Sequence, residues 1–425
     1  MQNTQIGDRP VTKNHSTSCS RRRFLQHGLS GCGVAAGLPL FLQQTNLAMA
    51  ANTVTGVPNG NADRILVVVE LAGGNCGLNT VVPFEQDEYY RARPTIAIRK
   101  KSTLKLNDEF GFHPYLLGWE QLFKDGKMAV VHGCGYPNRS RSHFESMKFW
   151  HWASPNNPQP DGWLGRLSND LPLPEKGPMI VNLSDKMSGA VRGSNHPTVV
   201  FDDPNQFVLE SSGEQRAVFR EAFKKKQESG NPALELVRRI ASTANQSSDF
   251  IRNACAEYKT KRDYGFGKIG KSLPRIVAQI AKGSGTRIYY TATGGFDTHG
   301  RQTATQGVNC MNIGDALLAF QQDLEAIGRD ADVAVMVFSE FGRRVKENSS
   351  KGTDHGAAGP MFITGKHVKG GHYGTFPSMT DLYEGDLKMT TDFRSVYATM
   401  VKEWMGLDTA KSLLRADYPT LGVFA

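Results

Sequence analysis

Aspartate, glutamate and histidine side chains recur in loops of this sequence that directly follow apolar runs. One such loop contains Asp297 and His299, and a later stretch contains Glu340, Asp354 and His355. Carboxylate oxygens and imidazole nitrogens are donors that zinc, manganese and similar divalent ions accept from proteins. We therefore expect one or two divalent metal ions here, zinc or manganese, with Asp354 either binding an ion or orienting a ligand.

Ser142 is the candidate nucleophile of this site. It stands at the start of a helix that the sequence predicts from about Ser142 to Trp152. Backbone N–H groups and the helix dipole at that position favour an anionic substrate and an alkoxide. A serine there also serves simply as a helix N-cap, and aspartate or histidine after a strand often only satisfies loop backbone; the sequence leaves both interpretations open. Four arginines are candidates for binding the anionic group: Arg139, Arg141, Arg343 and Arg344.

The apolar runs before these loops have the composition of strands that are buried on both faces of a sheet. The runs are Arg64–Leu71, Met128–His132, Thr286–Thr291 and Val333–Phe338, with a further strand at Met361–Ile363. Predicted helices alternate with them at Tyr115–Lys124, Leu273–Ala281, Asn309–Arg329 and Thr391–Met405. This alternation predicts an α/β fold with a mostly parallel central sheet flanked by helices on both faces. Because ligands bind beyond the carboxyl ends of such strands, we expect the polar loops to meet there.

Residues 1–50 have the features of an export signal. Paired arginines in Ser20–Leu25 precede a short, glycine-rich apolar segment and the A-x-A cleavage signal Ala48–Ala50, a pattern typical of twin-arginine export. We expect the Tat machinery to export residues 51–425 to the periplasm as the mature chain. Leu29–Cys32 also resembles a lipoprotein processing box, so lipid attachment at Cys32 remains an alternative.

The mature chain, residues 51–425, suits one large α/β domain. Its segment 156–275 has a different pattern of predicted elements, with short strand-like pieces at Met179–Leu183 and Thr198–Phe201. Two long polar helices are predicted after them, at about Glu214–Gln227 and Pro232–Arg262. We interpret the segment as an insertion or a helical cover.

Charge and cysteine content exclude several classes of protein. The whole sequence carries a formal net charge of +9, and removal of the leader, with five basic residues and one acidic residue, leaves +5. That charge is too small to indicate nucleic-acid binding. No C-x-x-C pattern is present, so neither a zinc finger nor a disulfide framework is expected, although one disulfide would be compatible with the periplasm. No stretch of the mature chain is long enough to cross a membrane.

Five longer motifs carry a resemblance to a known family. They are Gly73–Pro83 (GGNCGLNTVVP), Asn138–Phe144 (NRSRSHF), Gly294–Gly300 (GGFDTHG), Ser339–Arg344 (SEFGRR) and Gly352–Pro360 (GTDHGAAGP). Together with the twin-arginine leader, they resemble a bacterial family of exported proteins of unknown function. That family looks distantly similar to the alkaline phosphatase and sulfatase superfamily. The resemblance implies a helix-flanked sheet with a metal site at its strand ends.

The same resemblance implies an aspartate ligand in the loop after the first strand, where this chain has Cys76. A thiolate binds zinc, but a site for a harder metal would be weakened. Where the superfamily has Asp-His or Asp-Asn at a later strand end, this chain has Glu340-Phe341. His355 then corresponds best to the separate final histidine of the superfamily.

We therefore expect a metal-dependent hydrolase of a small phosphate or sulfate ester, with Ser142 as nucleophile. Its expected metal ligands are Cys76, Asp297, His299, Glu340 and His355. The alternative is a non-catalytic binding or assembly protein that keeps the fold and one structural metal, which Cys76 and Phe341 favour. A glycan hydrolase that uses carboxylates alone has less support, because no carboxylate pair stands apart from histidine.

Overall fold

A computed structural model of the chain describes residues 63–154, 159–174, 176–193, 195–196, 198–207 and 246–425. The strands are β1 (Ile65–Leu71), β2 (Val81–Val82), β3 (Leu104–Lys105), β4 (Gly111–Phe112), β5 (Met128–Gly135), β6 (Ile180–Leu183), β7 (Thr198–Phe201), β8 (Ile288–Thr293), β9 (Val333–Phe338), β10 (Gly359–Thr364), β11 (Gly371–Tyr373), β12 (Leu382–Tyr383), β13 (Asp386–Leu387) and β14 (Thr391–Asp392). The helices are α1 (Gly77–Thr80), α2 (Asp87–Ala92), α3 (Leu117–Lys124), α4 (His143–Trp152), α5 (Trp163–Ser168), α6 (Gly267–Ala281), α7 (Gln302–Ala326), α8 (Phe393–Thr399) and α9 (Ala410–Leu414). Residues 246–257 are also helical, and a π-helical turn, Met400–Trp404, continues α8.

A central sheet organises the described part of the chain. Its strand order is β11-β5-β10-β9-β1-β8-β6-β7, and β14 pairs with β5. Neighbouring strands are parallel except at β10, which is antiparallel to both β5 and β9. Because β10 reverses the direction twice, β5 runs the same way as β9, β1 and β8. The predicted mostly parallel α/β sheet is confirmed, and the loops that follow β1, β5, β8 and β9 lie at one edge.

Both faces of the sheet are covered by helices, which explains why its strands are continuously apolar. In β1, Val67 and Val69 pack on the face that α3, α6 and α7 cover, whereas Leu66 and Val68 pack on the opposite face. That second face is covered by α4, α5, α8 and α9, whose large side chains include Trp150. Strand residues that alternate between two buried layers must all be apolar.

Two described strands of the segment 156–275, β6 and β7, belong to the central sheet. β6 pairs with β8, with Ile180 opposite Ile288, and β7 extends the sheet beyond β6. Short strands of four residues cannot bury both faces alone, so these join the existing sheet edge. The predicted helix Glu214–Gln227 lies outside the described residues, and of Pro232–Arg262 only the portion from residue 246 onward is described.

Four cysteines lie in the described ranges, and none of them forms a disulfide: Cys76, Cys134, Cys255 and Cys310. No helix in those ranges has the length and apolar character needed to span a membrane. The predicted export signal at residues 1–50 lies outside the part of the chain that the structure describes.

Candidate metal centre

The loops at the strand-end edge are tied together by one buried arginine. Arg343, which follows β9, donates from Nε to the carbonyl of Gly74, 2.7 Å away, and from Nη1 to the carbonyl of Thr353, 2.7 Å away. Its Nη2 donates to the carbonyls of Gly73 and Phe296. One guanidinium therefore fixes the loops after β1, β8 and β9 relative to one another, because it donates to backbone carbonyls of all three.

Asp297, held by this arginine, is the centre of a group of imidazoles. Arg343 Nη2 lies 2.5 Å from Asp297 Oδ1. The same oxygen is 3.1 Å from His299 Nε2 and 3.1 Å from His355 Nε2, and the two nitrogens are 2.9 Å apart. Donor atoms about 2.0–2.1 Å from a tetrahedral zinc ion lie roughly 3.3 Å from one another. This triangle of one oxygen and two nitrogens therefore has nearly the dimensions of one face of a zinc coordination shell.

A third imidazole approaches the same carboxylate from the start of α4. His143 Nε2 is 3.6 Å from Asp297 Oδ2, beyond hydrogen-bond distance. It is a buried nitrogen with no hydrogen-bond partner among the described residues. One donor atom each from His143, Asp297 and His355 lies within 4.8 Å of the others. A buried polar atom without a partner calls for an explanation, and a metal ion is one.

In all three histidines Nδ1 lies within hydrogen-bond distance of an oxygen acceptor. The ring proton of each histidine is therefore on Nδ1. His143 Nδ1 lies 2.7 Å from Glu340 Oε1, and His299 Nδ1 lies 3.1 Å from Asp354 Oδ1. His355 Nδ1 lies 2.7 Å from the backbone carbonyl oxygen of Arg141. A carbonyl or an ionised carboxylate has no proton to give, so each imidazole donates from Nδ1 and directs the lone pair of Nε2 toward Asp297. Metal-binding histidines are oriented in this way.

The carboxylates of Glu340 and Asp354, which face histidine Nδ1 atoms, and the carboxylate of Asp297 are all ionised. Burial alone would raise the pKa of Glu340, but hydrogen bonds from His143 and from backbone N–H groups lower it below the usual value. A hydrogen bond from Asn348 and one from His299 lower the pKa of Asp354. Partial burial opposes ionisation of Asp297, yet the hydrogen bond and charge of Arg343 hold its pKa at about 2. Three negative groups are thus available at neutral pH.

Comparison with known proteins places the chain in a family. The family described as "Protein of unknown function (DUF1501)" matches residues 126–417. The chain belongs to this family. No curated protein is similar enough in sequence to match the chain.

Solved structures show a distant similarity, at TM-scores well below 0.5. The zinc complex of the C-terminal periplasmic domain of EptC from Escherichia coli has a TM-score of 0.34 and 11% identity, over 72% of this chain and 74% of that one. The lipoteichoic acid synthase LtaP from Listeria monocytogenes has a TM-score of 0.31 and 10% identity, over 83% and 80%. Alkaline phosphatase from the Antarctic bacterium TAB5 has a TM-score of 0.28 and 8% identity, over 70% and 91%.

The structure brings together most of the residues that the sequence singled out, but in different roles. Asp297, His299 and His355 have donor atoms in contact with one another, as the metal prediction requires. The buried Glu340 is already engaged by protein groups, because its Oε1 accepts from the N–H of Gly73 as well as from His143 Nδ1. Glu340 is therefore placed to orient His143.

Cys76 is not in contact with these donor atoms. Its buried thiol receives a hydrogen bond from Arg93 Nη1 at 3.0 Å. Burial alone would raise the pKa of this thiol, but the charge and hydrogen bond of Arg93 lower it below its usual value. Arg93 also donates to the carbonyls of Arg344 and Val345. Cys76 therefore belongs to a buried network that joins α2 to the loop after β9.

Ser142 is the N-cap of α4, as predicted, although its side chain makes no capping hydrogen bond. The residue is exposed and directly precedes His143. Two of the predicted anion-binding arginines are engaged elsewhere, since Arg139 and Arg141 both pair with the buried carboxylate of Asp386. Glu384 also pairs with both arginines, so their charge is largely neutralised by the protein itself.

His143 joins this group of donor atoms, although the sequence analysis did not name it. It lies inside the motif Asn138–Phe144 and is the first residue of α4. The signal was available, because a histidine at the start of a helix that follows a sheet strand stands at the same edge as Asp297 and Glu340.

Proposed function

We propose that this protein is a divalent-metal-dependent hydrolase of phosphate or sulfate esters, exported to the periplasm by the twin-arginine route. The observation that carries the metal site is the convergence of three Nε2 lone pairs on the carboxylate of Asp297, with every Nδ1 held by a proton-free acceptor. Lone pairs that face one another at about 3 Å repel unless a proton or a cation lies among them.

The proposed ligands are Asp297, His299, His355 and His143, with Glu340 and Asp354 as the groups that orient two of the histidines. Imidazole and carboxylate donors suit zinc, with manganese as the second choice. A bound divalent ion supplies Lewis-acid polarisation of an ester oxygen and a lowered pKa for a nucleophile next to it. Cys76 is omitted from this set because its thiol is hydrogen-bonded to Arg93.

The polypeptide itself provides a nucleophile and an anion-binding element beside these ligands. Ser142 is exposed, lies next to His143, and occupies the N-cap position of a helix of ten residues. The first N–H groups of a helix have no partner within the helix, and with the helix dipole they favour a phosphate or sulfate group. Ser142 Oγ is therefore the group proposed to attack the ester.

Metal analysis followed by an ester panel tests this proposal. We expect about one zinc or manganese ion per chain in protein folded in the cytoplasm, and hydrolysis of aryl phosphates or aryl sulfates. His355→Ala should lose the ion, whereas Ser142→Ala should keep the ion and lose at least about a hundredfold in kcat/KM. Less than half an ion per wild-type chain would refute the metal site.

A non-catalytic binding or assembly protein with a structural metal is the second candidate, favoured by one contact. Arg343 already neutralises Asp297 and ties the surrounding loops. A cluster of this kind holds a loop edge together without any reaction. If the metal-loaded protein hydrolyses none of the esters, and removal of the metal lowers the midpoint of thermal unfolding by more than about 10 °C, the second candidate replaces the first.

A further inference from the structure

A groove of about 510 Å³ opens directly beside the candidate metal centre. His143, Asp297 and Glu340 line one end of it, and Phe144, Met147, Lys148 and His151 continue along it. All residues in the second group belong to α4. A substrate whose ester group sits at His143 and Asp297 must therefore place its remaining atoms along this helix.

The side chains along the groove combine apolar area with the positive charge of Lys148. Phe144 is 84% exposed, which is unusual for a large aromatic side chain. Phe144 and Lys148 are four residues apart, as are His143, Met147 and His151, so two adjacent rows of α4 face the groove. Lys148 forms no ion pair with any described residue. Exposed apolar area beside a centre of this kind marks a ligand contact.

The far end of the groove is held rigid by a buried polar network. His151 Nε2 lies 3.2 Å from both the Tyr290 hydroxyl and Ser188 Oγ, and 3.3 Å from Glu70 Oε2. Tyr290 in turn donates a hydrogen bond to Glu70, which is buried in β1. Burial raises the pKa of Tyr290 well above its usual value, so it stays a phenol and keeps donating. A side chain fixed in this way gives the groove a preformed wall, and preformed sites lose less freedom on binding.

We infer that this groove binds the organic part of the ester and selects an aryl or long alkyl group that carries a second negative charge. The apolar part contacts Phe144 and Met147, and the charge pairs with Lys148. The inference rests on the proposed function, because it takes the ester group to lie at Asp297. It adds a substrate class: monoesters of acidic aromatic or aliphatic alcohols rather than of small neutral ones.

Three phosphonates that the protein cannot hydrolyse test the groove by binding alone: methylphosphonate, phenylphosphonate and 4-carboxyphenylphosphonate. They share one anionic head, so their affinity ratios report only what the groove contacts. By isothermal titration calorimetry at low salt, we expect phenylphosphonate to bind the metal-loaded wild type at least about tenfold more tightly than methylphosphonate. We expect 4-carboxyphenylphosphonate to bind about threefold more tightly than phenylphosphonate, because its carboxylate pairs with Lys148.

Two variants separate the apolar contact from the charged one. Phe144→Ser should lower the phenyl-to-methyl ratio to below about threefold, and Lys148→Gln should abolish the gain from the carboxylate while leaving the phenyl-to-methyl ratio intact. Both side chains are exposed, so neither change should alter the unfolding midpoint. Phe266→Ser is the matched control, because Phe266 is 78% exposed and lies outside the groove.

The results for the groove and for the hydrolase are distinguishable. Equal binding of methylphosphonate and phenylphosphonate within twofold, or unchanged ratios in both variants, overturns the inference even if esters are hydrolysed. Conversely, a protein that shows the expected ratios and hydrolyses no ester keeps the groove as a binding site and rejects the catalytic proposal.

Discussion

Replacement of Glu340 by glutamine tests the claim that this residue orients a metal ligand. Glu340 is 1% exposed, and its Oε1 lies 2.7 Å from His143 Nδ1. The glutamine keeps the shape and one acceptor oxygen, but it loses the negative charge that fixes the His143 proton on Nδ1. Loss of such an orienting partner costs roughly 10- to 100-fold in metal affinity, or about 1.4–2.7 kcal/mol.

The fold should survive this substitution. The new amide NH₂ would face Ser339 Oγ, which now accepts from the N–H of Asn75 and donates to the carbonyl of Leu71 at 2.6 Å. A hydroxyl oxygen has a second lone pair to accept from this group. The hydrogen bond from His143 Nδ1 to residue 340 changes from charge-assisted to neutral, so the loss of folding stability should be about 1 kcal/mol.

Competition titration with a zinc chelator at pH 7.5 measures the effect, with thermal unfolding as the check on folding. The pKa of Glu340 is lowered in the folded protein. Its ionisation therefore stabilises the fold at any pH above the ordinary carboxyl pKa, and this stabilisation is lost as the pH falls through the pKa of the folded state. At neutral pH the titration therefore compares the wild type, in which Glu340 is fully ionised, with a variant that has no charge at this position. Glu347→Gln, which changes a carboxylate bound to Thr95 instead, is the matched control. A zinc affinity for Glu340→Gln within twofold of wild type would refute the orienting role.

Three further predictions follow from buried groups. Arg343→Lys should destabilise the protein by about 2–5 kcal/mol in urea unfolding, because the carbonyls of Gly74 and Thr353 lose their donor; a loss below about 1 kcal/mol would contradict its tying role. Cys76→Ser should leave the zinc content unchanged, since the thiol is bound by Arg93; loss of the ion would show instead that Cys76 is a ligand. Burial lowers the pKa of His132 to about 3, so the unfolded chain binds the extra proton between pH 6.5 and 3 and the wild type loses stability as the pH falls through that window. His132→Gln should remove about 2–3 kcal/mol of the stability difference between pH 7 and pH 4.5, measured by urea unfolding, and an unchanged difference would contradict the shift.

The parts of the fold that follow from burial on two faces could be predicted from the sequence. Val333–Phe338 and Thr198–Phe201 have the predicted bounds, because short apolar runs rich in β-branched residues favour strands buried on both faces. The sequence also predicted that Asp297, Glu340 and His355 lie close together, because they follow parallel strands whose carboxyl ends share one edge of the sheet. The position of β6 and β7 in the central sheet did not, because four-residue apolar pieces look the same whether they extend a large sheet or form a separate small one.

Side-chain partners are set by loop paths that the sequence pattern does not contain. Cys76 pairs with Arg93, 17 positions away, only because α2 folds back over the loop after β1. Glu340 has the chemistry of a ligand, yet the backbone N–H of Gly73 and His143 Nδ1 share its Oε1. Residue types therefore predicted where the centre lies, whereas the division between ligands and the groups that orient them required the three-dimensional structure.

That division determines the charge that the proposed centre offers to a substrate. If Asp297 is the one carboxylate in direct contact with a divalent ion and the other donors are neutral imidazoles, the ion keeps a net charge of about +1. Arg343 adds a further positive charge within 2.5 Å of the same carboxylate. A centre in which Glu340 and Asp354 were also ligands would instead carry no excess positive charge. If these two carboxylates orient imidazoles and do not bind the ion, their charges lie farther from it, and the centre keeps more of the attraction for an anion that a phosphate or sulfate ester requires.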